Sequence, residues 1–140
     1  MRFFFRDQSA QLAPLLDGFR GTTFSYPSLD GLPEVRLQKP VPTMRRDLRT
    51  CDLDFLFRYD VFPADILQFL GEWELDGRAM RVGDTIVQQA QVPPGCGFHL
   101  IFASRVTAVF REERRAGFSY GTLRGHPETG MNEFSFTSTA

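Results

Sequence analysis

The chain has 140 residues, enough for one domain with a buried core. Sixteen basic residues against seventeen acidic ones leave a net charge of −1, and a sequence pI near 6.1 excludes the basic excess of a dedicated nucleic-acid binder. Phenylalanine is enriched, at 15 residues, and a side chain so large and flat favours a sheet-rich core.

Residues 1–6, MRFFFR, are too short for the apolar core of a signal peptide, and no run approaches the roughly 18 apolar residues of a membrane helix. The expectation is a cytoplasmic protein without a membrane span. Residues 1–50 hold five of the nine prolines and read as an irregular N-terminal arm packed on a β-rich body, residues 51–140, in a single domain. Leu12, Leu15, Leu16 and Phe19 fall at i, i+3, i+4 and i+7. They predict a short helix with Pro14 in its first turn and its end at Gly18 or Gly21. TTFSY (22–26) and EVRLQ (34–38) read as extended pieces. Arg45, Arg46 and Arg49 cluster in MRRDLR. Ion pairs with Asp47 and Asp52 on a solvated face account for them, and an anion site is the alternative. Lys39 is the one lysine among the basic residues, which weakens any mechanism needing a catalytic lysine. Cys51 and Cys96 lack CxxC spacing and read as reduced thiols.

In residues 52–62, DLDFLFRYDVF, the positions Leu53, Phe55, Phe57, Tyr59 and Val61 alternate with Asp54, Arg58 and Asp60, and Leu56 is the exception. Alternation of this length predicts a half-buried strand. Residues 63–73, PADILQFLGEW, predict a helix starting at Pro63 with an apolar stripe of Ile66, Leu67, Phe69, Leu70 and Trp73, fraying at Gly71. LDGRAM then reads as a turn. Strands follow over 83–92, 98–113, 115–123 and 132–140. The second is apolar on both faces and is expected to be central and bent midway, and EERRA forms a charged hairpin tip. Short links between successive strands predict an antiparallel meander.

The loop GFSYGTLRGHPETG (117–130) carries the candidate chemistry. Tyr120 and Thr122 share a strand face, being two apart, and Pro127 holds His126 extended so that its ring can turn back toward them. With Glu128 they make a polar cluster that reads either as the lip of a ligand pocket or as a structural turn. His126 and Glu128 would also serve as an acid and base near neutral pH. Arg105 shares a strand face with His99 and Ile101 and, if buried, needs a carboxylate such as Glu128 or Asp84. Gly117, Gly121, Gly125 and Gly130 are explained as turn and bulge glycines, because no GK[ST] follows. His126-Pro127-Glu128 lacks the P-C-x-x-C of a zinc deaminase, and His99 is the other histidine, so no metal and no cofactor is expected. Ser119 in GFSYG lies mid-strand, which rules out a nucleophile elbow.

Residues 116–136, AGFSYGTLRGHPETGMNEFSF, resemble the signature G-F-x-Y-G-T-L-P-G-H-P-E-x-G-E-E-x-F of DUF1990, a bacterial and plant domain of unknown function. TTFSYP (22–27) resembles that family's early Thr-Tyr-Pro element, and VGDTIVQQ (82–89) its strand after a glycine. Arg124 stands in place of the signature's proline and Met131-Asn132 in place of its acidic pair, so any role of those carboxylates is absent here. The resemblance implies no defined activity. The family's strand–helix–meander layout is similar to helix-grip (START/Bet v 1-like) domains, in which a curved sheet wraps a long C-terminal helix around an apolar cavity. The family continues with another strand and a helix, so this chain reads as a C-terminally short member.

These readings predict an α+β fold: a curved antiparallel sheet with one or two short helices, helix-grip-like but without the long C-terminal helix. The expected function is binding of a small apolar or amphipathic ligand in a Phe-lined cavity, with Tyr120, Thr122, His126, Glu128 and Arg105 at its polar lip. One alternative is an interaction or structural module whose exposed sheet face is covered by a partner, including a second copy in a homo-oligomer. The other is an enzyme using His126 and Glu128. No catalytic residue is assigned.

Overall fold

The structure is a computed structural model and describes residues 1–28, 53–91 and 97–137. EVRLQ, the Arg45–Arg46–Arg49 cluster, Cys51 and Cys96 lie outside the described residues. Within them the fold is α+β, built on an open, curved antiparallel sheet of six strands. These are β1 (Arg2–Phe4), β2 (Leu67–Gly71), β3 (Thr85–Gln91), β4 (His99–Arg111), β5 (Arg115–Thr122) and β6 (Met131–Thr137). The order across the sheet is β2-β3-β4-β5-β6. β1 pairs with the first residues of β4, Arg2 opposite Ile101, while β5 pairs with β4 from Ser104 onward. The long apolar run of 98–113 is thus the central strand, as its two-sided hydrophobicity predicts. It bends where a bulge interrupts its register with β5 between Val106 and Ala108. That bulge changes which residues face which way. Phe102 and Val106 point to one face before it, and Val109 and Arg111 point to the same face after it.

α1 (Leu12–Phe19) forms where the apolar stripe predicts, burying Leu12, Leu16 and Phe19. Pro14 lies in the first turn, whose N–H groups have no intrahelical partner, so its missing donor costs nothing. The helix covers one sheet face through Val87, Ile101, Ala103 and Leu123. The other face carries the aromatic core: Tyr59, Phe102, Phe118 and Tyr120, closed by Leu56, Phe57 and Trp73.

Two sequence expectations are corrected. The strand expected over 52–62 is not what its described part, residues 53–62, forms: Asp54–Phe57 is a short helix, α2. Its buried side, Leu56 and Phe57 with Leu53 partly buried, follows the i, i+3, i+4 spacing that the period-two alternation masked. α2 stops in a Schellman arrangement, with Tyr59 N–H bonded to Leu56 O at 3.1 Å and Asp60 N–H to Phe55 O at 2.9 Å. The left-handed position is held by Tyr59 at φ +64°, where glycine is usual, so the customary stop signal is absent from the sequence. Residues 63–73 are likewise not one helix. β2 pairs with β3 from Leu67 opposite Ala90 to Gly71 opposite Ile86, and α3 (Glu72–Asp76) follows. Phe69 packs on the aromatic core and Leu70 on the α1 side. Apolar groups on both faces of a strand imitate a helical stripe. α3 is closed by Glu74, which accepts the Gly71 N–H at 2.9 Å, and by Gly77 at φ +62°.

Candidate functional site

Tyr59 occupies the centre of the aromatic face and is fully buried. Phe69, Phe118, Tyr120 and Phe62 surround its ring at centroid distances of 4.9, 5.7, 5.8 and 5.8 Å, mostly edge-on, the arrangement favoured by aromatic quadrupoles. Its hydroxyl accepts a hydrogen bond from Gln88 Nε2 at 2.6 Å, and Ser104 Oγ donates to Gln88 Oε1 at 3.0 Å. Tyr120 stands beside it, its ring edge-on to that of Tyr59 at 5.8 Å. Burial pushes both phenols above their ordinary range. Sequence reasoning found Tyr120 and missed the Tyr59–Gln88–Ser104 relay beside it, because Gln88 and Ser104 are unremarkable polar residues inside strands.

The other sequence candidates separate. Arg105 lies on the opposite face, where its guanidinium donates to the carbonyls of Thr22 at 2.8 Å, Arg20 at 2.9 Å and Phe19 at 3.3 Å. It satisfies carbonyls at and beyond the end of α1, a favourable place for a cation. Asp84, considered as its partner, instead takes Arg78 at 2.7 and 3.0 Å. Thr122 closes the 123–130 loop: its Oγ1 donates to Gly130 O at 3.1 Å and accepts the Gly130 N–H at 3.0 Å. His126 packs edge-on to Phe102 at 4.6 Å. Glu128 meets His126 through its backbone N–H, which donates to Nδ1 at 3.0 Å, while the residue itself is exposed.

That bond fixes the His126 proton on Nε2. Burial against Phe102 pulls the ring down to about 4, from an ordinary value of 6.5. The unfolded chain therefore takes up a proton near pH 6.5 that the fold refuses until about pH 4. His126 stabilises the fold fully above pH 6.5, and that contribution is lost as the pH falls through this window. Because the ring is half-buried, solvent screening limits the loss to about 1–2 kcal/mol. In urea denaturation at pH 7 and pH 4.5, His126→Gln flattens this part of the pH dependence, and NMR titration places the wild-type ring near 4.

A cleft of about 250 Å³ opens on the aromatic face, away from the 117–130 loop. Phe57, Trp73, Met80 and Val109 form its apolar walls, and Arg58, Arg78 and Arg111 stand around it with Asp54 and Ala79. None of Tyr120, Thr122, His126, Glu128 or Arg105 lines it. Trp73 lies flat on Gly71, where a Cβ would come within 2.3–2.5 Å of the indole carbons, so the glycine seats this wall. Its indole N–H is buried with no acceptor among the described residues. Val109 and Arg111 reach the cleft because of the β4 bulge, and the Arg111 guanidinium lies 3.6 Å over the Phe57 ring. Arg78 is committed to Asp84 and Asp76, and Asp54 has an interaction of its own. Among the described residues Arg58 and Arg111 pair with no carboxylate.

Among the described residues no cluster of histidine, cysteine and carboxylate side chains could hold a metal ion, and no helix is long and apolar enough to cross a membrane. An open antiparallel sheet, covered on one face by α1 and carrying a buried aromatic core beside an arginine-rimmed cleft on the other, defines the chain as an α+β sheet domain. Tyr59, the buried relay and the GFSYGTLRGHPETG loop all lie in residues 56–140, the stretch matched by the model of a domain of unknown function, DUF1990; the chain belongs to that family. No curated protein and no solved structure matches it.

Proposed function

We propose that this domain binds a small apolar or amphipathic ligand, and that the ligand sits in the cleft between α2, Trp73 and the post-bulge half of β4. The observation that carries this reading is the cleft's lining. Four apolar side chains from three separate segments converge on a space that the neighbouring core does not fill, the usual make-up of a small-molecule site. The polar lip expected at Tyr120, Thr122, His126, Glu128 and Arg105 is not part of this reading. Tyr120 is taken up by the aromatic core, Thr122 by the loop closure and Arg105 by the end of α1.

Trp73 is the chain's single tryptophan and lines the cleft, so its emission reports occupancy directly. Titration with neutral and charged six-carbon compounds is expected to give a saturable emission shift. Ala79→Phe, which adds bulk at an exposed wall position, is expected to abolish it. The reading fails if no compound gives a saturable response, or if the response survives Ala79→Phe.

A further inference from the structure

The three arginines beside the cleft differ in what they already hold. Arg78 is forked onto Asp84 and also meets Asp76, so its charge is internally balanced. Arg58 and Arg111 are exposed, line the same cleft, and pair with no carboxylate among the described residues. Asp54, the acidic group in the lining, has an interaction of its own. The Phe57 ring beneath Arg111 holds that guanidinium over the apolar wall. An apolar floor with two guanidinium groups at its edge that make no ion pair among the described residues is complementary to a molecule with an apolar body and a terminal oxyanion, and arginine's planar fork suits carboxylate and phosphate alike. At about 30 Å³ per water-sized group, the 250 Å³ cleft has room for a body of about eight such groups.

We propose that the cleft selects small amphipathic oxyanions, with Arg58 and Arg111 as the groups that recognise the head. This rests on the ligand-binding reading above and adds the sign and chemistry of the ligand. Arg58 reaches the rim because the helix stop at Tyr59 turns the chain there, sending the tyrosine into the core. Arg111 reaches it through the parity change at the β4 bulge.

The test compares hexanoate, hexyl phosphate, 1-hexanol and hexylamine by Trp73 emission at low salt, on the wild-type chain and on Arg58→Gln, Arg111→Gln and Arg111→Lys. Charge-assisted hydrogen bonds are about twice as strong as neutral ones, so the anions are expected to bind at least about tenfold more tightly than hexanol. Each Gln variant is expected to weaken the anions about tenfold relative to hexanol, and Arg111→Lys to recover part of that ratio. Raising the salt should erode the anions' advantage. Preference for hexanoate over hexyl phosphate, or the reverse, then identifies the head group. If hexanol or hexylamine binds as tightly as the anions, or the Gln variants leave the ratio unmoved, oxyanion selection is overturned while ligand binding stands. If no probe binds, both are overturned.

Discussion

Tyr59→Ala lowers the unfolding free energy by about 3–5 kcal/mol, the usual cost of truncating a large buried aromatic. Four rings close on Tyr59 from α2's neighbourhood, β2 and β5, so several elements must move together to refill the space, and the loss belongs at the high end of that range. Tyr59→Phe isolates the hydroxyl. It keeps the ring but leaves Gln88 Nε2, inside a residue only 2% exposed, without its 2.6 Å acceptor. An unsatisfied buried donor costs about 1–3 kcal/mol. A third variant tests the backbone. At φ +64° a residue with a Cβ carries a penalty of about 1–2 kcal/mol that glycine escapes. Tyr59→Gly is therefore expected to be about 1 kcal/mol more stable than Tyr59→Ala, reversing the order of these residues in a helix. Urea denaturation of the three variants measures all of this. A Gly variant weaker than the Ala variant would contradict the left-handed helix stop.

The same residue marks the limit of what the sequence makes legible. α1 is readable because Leu12, Leu16 and Phe19 face one way and Pro14 falls where helices tolerate it. The run from β3 to β6 is readable because short polar links separate apolar runs, and the central place of β4 follows from its two apolar faces. Residues 53–76 are not, for two physical reasons. A helix stop normally announces itself with glycine, and here tyrosine takes the left-handed position because its ring gains the core. A strand normally announces itself by alternation, and β2 has apolar neighbours on both faces. The cleft stays hidden for a related reason. It depends on a one-residue bulge that brings Val109 and Arg111 to the aromatic face, and on a tryptophan seated by a glycine two residues earlier. Neither is encoded as a local pattern. Arg105 shows the limit of charge arithmetic: a half-buried arginine suggests a carboxylate, yet backbone carbonyls from a segment about 80 residues distant in sequence satisfy it.

The spacing of glycines along β5 leads to the second large effect. Gly117 and Gly121 are both buried in that strand, and neither has positive φ, so space rather than backbone conformation demands glycine. The two spaces differ. A Cβ on Gly117 would lie 2.2 Å from the carbonyl oxygen of Phe134 and 2.8 Å from the Cα of Ser135, both backbone atoms of β6. A Cβ on Gly121 would meet the Tyr26 hydroxyl at 2.0 Å and the Phe24 ring edge at 2.8 Å, which are the ends of half-buried side chains that can swing aside. Gly117→Ala therefore forces β6 away from β5, breaking the pairing of Gly117 with Ser135 and lifting Phe134 off Phe118 and Tyr120, on which it stacks at 5.6 and 6.1 Å. The expected loss is about 2–3 kcal/mol, the upper part of the range for overpacking. Gly121→Ala is expected to cost less than about 1 kcal/mol, because rotamer changes absorb it. β6 is the end strand of the described sheet, so the Gly117→Ala damage should concentrate there. Amide exchange should accelerate across residues 132–136 while β3 and the first half of β4 keep their protection. Equal losses for the two variants, or exchange that rises uniformly through the sheet, would show that contact with the β6 backbone is not what requires glycine at 117.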